Sequence, residues 1–141
     1  VPKQKLLDQR RLREDMLYGK LDPADLETGE ELNYLRPGMP RQVMRRLRRG
    51  QYSVGAELDL HGLTVPKAHQ ALSDFLRGCR ARDIRCVRIV HGKGLNSPDG
   101  VTILKIKLQH WLRQRRDVLA YCSARPIDGG AGALYALLER P

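Results

Sequence analysis

The residues with the clearest potential for chemistry are an acid and an imidazole two positions apart, Asp59 and His61, in the segment LDLHG. Alternate residues of a β-strand point to the same face of the sheet, so the two side chains can project together. A carboxylate beside an imidazole fixes the orientation of the ring and raises its pKa, which helps the ring to hold or pass a proton. The alternative is a structural pair with no chemical role.

Two glycine-rich segments follow, at residues 91–94 (HGKG) and 129–132 (GGAG). Glycine lets the backbone approach a ligand closely, and Lys93 would supply a positive charge for a phosphate. The frame of a Walker A nucleotide-binding loop is missing, and an ordinary turn remains the alternative for each segment. We predict that the glycines of both segments contact nucleic acid, namely Gly92, Gly94, Gly129, Gly130 and Gly132.

The hydrophobic pattern predicts the elements that must position these residues. Strands are expected at 57–62, 84–92, 117–124 and 133–139, and helices begin near Thr64 and near Val101. The order β-α-β-α-β-β predicts an α/β domain: a two-layer sandwich of a four-stranded mixed sheet and two helices.

Topology places the candidate residues together at one edge of this sheet. Strands joined through a helix normally run parallel, so the first three strands should point the same way. Open α/β sheets bind ligands at the carboxyl ends of such strands. A hairpin from the third strand to the fourth keeps their connection at the same edge. We therefore expect the end of LDLHG, the HGKG segment and the GGAG segment to meet there.

The charge is strongly positive and unevenly distributed. The chain has 141 residues with 26 basic and 16 acidic side chains, a net charge of +10, which is typical of proteins that bind a polyanion. Residues 36–55 contain six Arg and no acid, with Val43, Met44 and Leu47 on one face of a predicted helix. The arginines of this helix that we expect to bind nucleic acid are Arg45, Arg46, Arg48 and Arg49.

These features divide the chain into three parts. Residues 1–35 carry six basic and eight acidic side chains and are interrupted by Gly and Pro, which predicts a polar segment that is flexible or docks on the domain. Residues 36–55 form the Arg-rich helical arm, so the domain has a basic N-terminal extension. The globular domain itself is predicted over residues 56–141.

The composition argues against several other classes of protein. No apolar run approaches the ~18–20 residues that cross a bilayer, and the first residues lack an apolar signal stretch, so a cytoplasmic protein without a membrane partner is expected. The three cysteines, Cys79, Cys86 and Cys122, lack a CxxC spacing and are expected to be reduced thiols rather than zinc ligands. No cofactor is expected, and the divalent-metal alternative stays open. Nothing in the sequence calls for a dimer, so a monomer is expected.

In their order and separations, LDLHG, HGKG and GGAGA resemble the motifs of the small MutS-related (Smr) domain, over about residues 56–140. The basic lead-in RRLRRGQY is similar to that of bacterial stand-alone members. The resemblance implies a fold similar to the C-terminal domain of translation initiation factor 3. It also implies nucleic-acid binding, endonuclease activity and, in such bacterial members, cleavage of mRNA on stalled, collided ribosomes. The family's motifs fall on Asp59 and His61, and on His91 to Gly94.

The candidate catalytic residues suit RNA cleavage without a metal, in which the substrate's own 2′-hydroxyl attacks the phosphate. His61, oriented by Asp59, would take the hydroxyl proton, and His91 would protonate the leaving 5′-oxygen, or the two would exchange roles. Lys93 and loop N–H groups would stabilise charge on the phosphate. Two-metal nucleases need several carboxylates around one phosphate, and this edge offers mainly Asp59.

Two other functions stay open: a DNA-nicking endonuclease in repair or recombination, and a binding module without catalysis. DNA lacks the 2′-hydroxyl, so the metal-free route favours RNA over DNA as the partner, with the ribosome as a further candidate. Few tyrosines are available to stack on bases, so sequence-specific base reading is not expected. The candidates are Tyr52, Tyr121 and Tyr135.

Overall fold

The computed structural model describes residues 31–92 and 100–140, which form an α/β domain. The helices are α1 (Arg41–Arg48), α2 (Val65–Ala81) and α3 (Gly100–Gln114). The strands are β1 (Asn33–Leu35), β2 (Val54–Asp59), β3 (Cys86–Val90), β4 (Val118–Ser123) and β5 (Ala133–Leu138). The predicted α/β class is confirmed, as is the order β-α-β-α-β-β from β2 to β5.

The strands form one mixed sheet in the order β1-β4-β5-β3-β2. β2 and β3 are parallel, whereas β3 and β4 both pair antiparallel with β5. β2, β3 and β4 therefore point the same way, as the two helical crossovers predict. Insertion of β5 between β3 and β4 makes the sheet mixed.

The larger core lies between one face of the sheet and the helices α2 and α3. Apolar residues recur at helical spacing along both helices and meet alternate residues of the strands, such as Val87 and Ile89 of β3. α2 begins where the Thr64 side chain accepts the Lys67 backbone N–H at 3.4 Å, and Pro66 fits in its first turn. The helix therefore begins at Val65, and five residues separate it from the end of β2 at Asp59.

β1 extends the sheet beyond the four strands expected from the sequence. Residues 33–35, which we assigned to the polar segment, pair antiparallel with β4. Leu32 is buried, and Tyr34 stacks on Tyr121 with ring centroids 5.3 Å apart. A strand of three residues is too short to show an alternating pattern, so the sequence does not reveal it. Residues 1–30 of the same segment lie outside the described residues.

α1 packs on the opposite face of the sheet and adds a third layer to the predicted two-layer sandwich. Leu47 is buried there, with Val43 and Met44 packed around the same cluster. A helix of eight residues is not stable alone, so this docking maintains it. The main contacts of α1 are with β4 and β1. The helix does not cover Glu57 and Asp59 of β2, which are exposed.

Backbone hydrogen bonds join the carboxyl ends of β2 and β3 to the start of β5. The Leu60 N–H donates to Val90 O at 2.8 Å, and the N–H groups of His91 and Gly92 both donate to Gly132 O at 2.9 Å. The expected meeting of the three segments at one edge is therefore confirmed for the described residues, which extend to Gly92 in the HGKG segment.

Two observations bear on the expectations from composition. Cys79, Cys86 and Cys122 are free and buried, and burial raises the pKa of Cys86 to about 11 and that of Cys122 to about 12. These thiols are therefore protonated at neutral pH and act as apolar core residues. In the described part of the chain, no helix has both the length and the apolar character needed to cross a bilayer.

Candidate active site

His61 and Asp59 form a close pair at the exposed end of β2. His61 Nδ1 lies 2.6 Å from Asp59 Oδ1, and the same oxygen accepts the His61 backbone N–H at 3.0 Å. The two side chains are 66% and 52% exposed, so the pair is not part of the core. Because Nδ1 donates to the carboxylate, Nε2 carries the lone pair of the neutral ring. An imidazole held in this way can accept a proton at Nε2.

The charge state of Asp59 supports this orientation. Burial alone would raise the pKa of Asp59, but the hydrogen bonds from the His61 side chain and backbone, with the electrostatic effects of His61 and Arg88, lower it below its ordinary value of 3.8. The carboxylate therefore stays ionised at neutral pH. An ionised Asp59 can hold the ring in one tautomer and stabilise an imidazolium after proton transfer.

His91 is placed at the same edge but in a different environment. Its side chain is fully buried, and burial lowers its pKa to about 4. Nδ1 lies 2.9 Å from Gly92 O, so Nδ1 carries the proton, and Nε2 is buried with no hydrogen-bond partner among the described residues. A neutral ring without solvent contact cannot donate a proton from Nε2. This geometry counts against the expected role of His91 as the acid.

The glycines of residues 129–132 have separate tasks. Gly129 has φ +114, and a Cβ there would lie 2.9 Å from Ala133 Cβ, so only glycine fits. Gly132 is buried, and its carbonyl holds the HGKG segment through His91 and Gly92. Gly130 has φ +52 with open space around its Cβ position. Of these glycines, Gly130 alone combines an accessible position with no packing role.

Arg88 connects the candidate site to the β4–β5 connection, and the sequence analysis did not single it out. Its Nη1 lies 2.5 Å from Glu57 Oε1, and its Nε donates to Asp128 O at 2.6 Å. The Arg88 side chain is only 20% exposed, and Glu57 faces it on the neighbouring strand. The available signal was a charged residue in the otherwise apolar strand CVRIV.

The predicted nucleic-acid-binding arginines are all exposed. Arg45, Arg46, Arg48 and Arg49 lie on or directly after α1, whose apolar face is docked on the sheet. The Arg46 guanidinium lies over the Tyr52 ring, 5.2 Å from its centroid. Tyr121 and Tyr135 are buried, so Tyr52 is the one tyrosine of the three candidates with an accessible ring.

Two predicted site residues, Lys93 and Gly94, lie outside the described residues, so the structure does not place them. Within 31–92 and 100–140, no group of three or more His, Cys, Asp or Glu side chains is arranged to hold a metal ion.

Comparison with known proteins identifies the family. The profile of the Smr domain matches residues 58–139, a range that contains both Asp59–His61 and His91–Gly92. The chain belongs to the Smr domain family. The match runs from the end of β2 through β5 and leaves β1 and α1 outside, so this Smr domain carries an additional strand and helix on its N-terminal side.

Curated relatives of this Smr domain carry the name ribosome rescue factor SmrB. The protein from Yersinia enterocolitica is 38% identical over 114 residues, which are 81% of this chain and 61% of the relative. That from Pectobacterium atrosepticum is 41% identical over 118 residues, or 82% of this chain and 62% of the relative. The chain thus spans 61% and 62% of the length of these two relatives.

Solved structures share the fold. YdaL from Escherichia coli, a stand-alone small MutS-related protein, aligns with a TM-score of 0.74 and 33% identity over 86% of this chain and 92% of its own. The Smr domain of Thermus thermophilus MutS2 aligns with a TM-score of 0.52 and 31% identity, over 60% of this chain and 98% of its own. The stand-alone protein covers more of this chain than the isolated domain does.

Proposed function

We propose that this Smr-family chain is an endonuclease that cleaves RNA by metal-independent acid–base chemistry. The observation that supports this most is the exposed Asp59–His61 pair, with 2.6 Å between its carboxylate and imidazole, at the edge where parallel strands end. A solvated histidine oriented by an ionised carboxylate has no packing function. It is suited to removing a proton from a substrate hydroxyl.

The proposed reaction uses the lone pair on His61 Nε2. His61 takes the proton of the ribose 2′-hydroxyl, and the 2′-oxygen attacks the adjacent phosphorus. The bond from phosphorus to the 5′-oxygen breaks, and that oxygen leaves with a proton. The products are a 2′,3′-cyclic phosphate and a 5′-hydroxyl. Proton removal by an oriented base contributes about 10²–10⁴-fold to the rate.

His91 holds the loop in this proposal and does not protonate the leaving group. Its backbone N–H donates to Gly132 O, and its ring donates to Gly92 O. Both contacts fix the start of the HGKG segment. Protonation of the leaving oxygen then passes to Lys93 or to water, and Lys93 keeps its proposed role of stabilising the charged phosphate.

The proposed substrate context is mRNA on stalled or collided ribosomes in the cytoplasm. The support is the name of the relatives, ribosome rescue factor SmrB, together with the net charge of +10. Arg45, Arg46, Arg48 and Arg49 would contact phosphates of the mRNA or of ribosomal RNA. Such contacts position a protein on RNA without specifying a sequence.

The test uses matched RNA and DNA oligonucleotides, each incubated with and without EDTA, followed by analysis of product ends. We expect RNA cleavage that persists in EDTA and leaves 2′,3′-cyclic phosphate and 5′-hydroxyl ends. His61→Ala should abolish this cleavage. Asp74→Asn removes an exposed carboxylate on α2, away from the site, and should leave cleavage unchanged. Ribosome dependence is tested by adding purified collided ribosomes to the same reaction.

The other outcomes discriminate the alternatives. A 5′-phosphate end, or loss of cutting in EDTA, would reject the 2′-hydroxyl route in favour of a metal-activated water. Nicking of DNA at a rate equal to RNA would support the DNA endonuclease. Tight binding of either polymer without any cleavage, on or off the ribosome, would reduce the chain to a binding module.

A further inference from the structure

A groove of about 350 Å³ lies beside the carboxyl end of β4, between the end of α1 and the β4–β5 connection. Its lining includes Leu32 and Cys122, which are buried, and Arg48 and Arg125, which are exposed. The groove thus combines an apolar wall with two guanidinium groups that come from different elements. It lies at the same edge of the sheet as the ends of β2 and β3.

Arg125 is held in place from both sides. Its backbone N–H and its Nε donate to the Tyr135 hydroxyl at 3.3 and 3.4 Å, and its Nη2 lies 3.6 Å from Asp128 Oδ2. A Cβ at Gly50 would lie 2.7 Å from Arg125 Cζ, so the guanidinium rests directly on the Gly50 backbone. Gly50 lies just after α1, and Arg125 therefore reaches the end of the helix that carries Arg48.

The lining of the groove carries two arginines and one acidic residue, and Arg125 also pairs with Asp128. Arg48 has no ion-pair partner among the described residues, and Arg49 follows it in the sequence. Glu31 is the acidic residue of the lining and is exposed. Asp128 is not part of the lining, and its carboxylate accepts a hydrogen bond from the Tyr135 hydroxyl. Like charges at one groove repel each other unless an anion lies between them.

We propose that this groove is a phosphate-binding subsite for single-stranded RNA, with Arg48 and Arg125 as the phosphate contacts. The proposal rests on RNA cleavage at Asp59–His61. In the sheet order, β4 is three strand spacings from β2, or roughly 14 Å. An RNA strand whose scissile phosphate lies at His61 would place another phosphate, a few nucleotides away, in the groove. Arginine suits this task because its planar fork binds two phosphate oxygens.

The test compares arginine variants that remove the same charge at different positions. In a His61→Ala background, which leaves the RNA uncut, Arg48→Gln and Arg125→Gln are compared with Arg41→Gln. Arg41 is exposed at the start of α1 and is not part of the groove lining. It lies on a neighbouring depression that Arg48 also borders, so the control for coupling is the pair Arg41 and Arg125. Binding of a fluorescent single-stranded RNA is measured by anisotropy at several salt concentrations, and the same series is run with DNA.

The groove variants should each weaken binding about tenfold, because a charge-assisted contact to phosphate is lost. Each should also reduce the log–log salt slope by about 0.7. The double variant R48Q/R125Q should bind about as weakly as either single variant, since both arginines hold one phosphate, while the effects of R41Q and R125Q should multiply. Glu31→Gln should strengthen binding, because it removes a like charge beside the phosphate.

The subsite would be rejected if all three single variants weakened RNA binding equally and the effects multiplied in both R48Q/R125Q and R41Q/R125Q. Such a result would indicate diffuse electrostatic attraction of RNA to α1. Thermal melting monitors folding, and Arg125→Met, which removes the charge but keeps an unbranched stem of similar length, replaces Arg125→Gln if the latter melts early. If the wild-type chain binds RNA with the expected pattern but never cuts it, the cleavage proposal fails and the subsite stands. If it cuts RNA and the variants show no coupling, the subsite alone fails.

Discussion

Asp59 Oδ1 accepts two hydrogen bonds from the same residue, His61, one from the ring at 2.6 Å and one from the backbone at 3.0 Å. The backbone bond fixes the turn that ends β2, and the ring bond fixes the tautomer of the imidazole. Both contacts depend on one carboxylate oxygen, so loss of that oxygen would release the turn and the imidazole ring together.

Asp59→Asn should lower the rate of RNA cleavage at least about tenfold with little change in the melting temperature. An amide can keep a turn-like contact with the backbone but cannot stabilise an imidazolium. Asp74→Asn, which makes the same change at an exposed position of α2, provides the control. Single-turnover cleavage at saturating RNA is the measurement, and a wild-type rate for Asp59→Asn would contradict the proposed role of the pair.

The burial of His91 should make the fold sensitive to acid. Its folded pKa of about 4 lies below the ordinary 6.5, so the unfolded chain takes up the proton first as the pH falls. The contribution of His91 to stability is therefore constant above about pH 6.5 and decreases between 6.5 and 4, by up to about 1.4 kcal/mol per pH unit. Urea titrations from pH 7.5 to 4.5 measure this loss.

The matching variant is His91→Gln, which cannot take up the proton. We expect it to be less stable at pH 7.5 but to lose less on acidification. Some loss should remain, because burial also lowers the pKa of His69, and the charge of Arg115 acts in the same direction. Parallel pH curves for the two proteins would show that His91 is not the group responsible.

Arg88→Met should destabilise the domain by about 1–3 kcal/mol, because the Asp128 carbonyl loses a charged donor and Glu57 loses its partner. Cleavage should fall as well, since Arg88 lowers the pKa of Asp59 and anchors the connection that contacts His91. Arg77→Met on the exposed face of α2 is the control. Equal losses of stability and of cleavage in the two variants would contradict a specific role for Arg88.

A pair of glycine variants separates the effect of backbone strain from the effect of helix propensity. Gly129→Ala should cost about 1–2 kcal/mol or more, because φ is +114 and its Cβ would lie 2.9 Å from Ala133 Cβ. Gly78→Ala within α2 meets nothing within 4 Å and should stabilise the domain by about 0.5–1 kcal/mol. Chemical denaturation of both proteins checks the opposite signs.

Leu47→Ala should destabilise the domain by about 2–4 kcal/mol, since Leu47 is the buried residue of α1. Met44→Ala, at a half-buried position of the same helix, should cost less. RNA binding should weaken in Leu47→Ala although no arginine is removed, because the basic helix is then less firmly docked. Anisotropy with the same RNA tests this, and unchanged affinity would show that docking does not position the arginines.

Local rules in the sequence determined much of the fold and part of the candidate site. The two-residue spacing of Asp59 and His61 favours a shared direction on any strand, and helical crossovers make β2, β3 and β4 parallel. The same rules bring the three motif segments to one edge. These features depend on residues close in sequence or on the handedness of the chain, so a single sequence is sufficient to predict them.

Long-range contacts decided the rest. The His91 backbone N–H donates to Gly132 O, which lies far along the chain, and the burial of the ring lowers its pKa to about 4. This environment is the basis of our proposal that His91 holds the loop. The docking of α1 on the second face of the sheet, the contact of Arg88 with Asp128 and the approach of Arg125 to Gly50 are of the same kind. Burial and charge are set by everything that packs around a group, and only the tertiary structure brings those neighbours together.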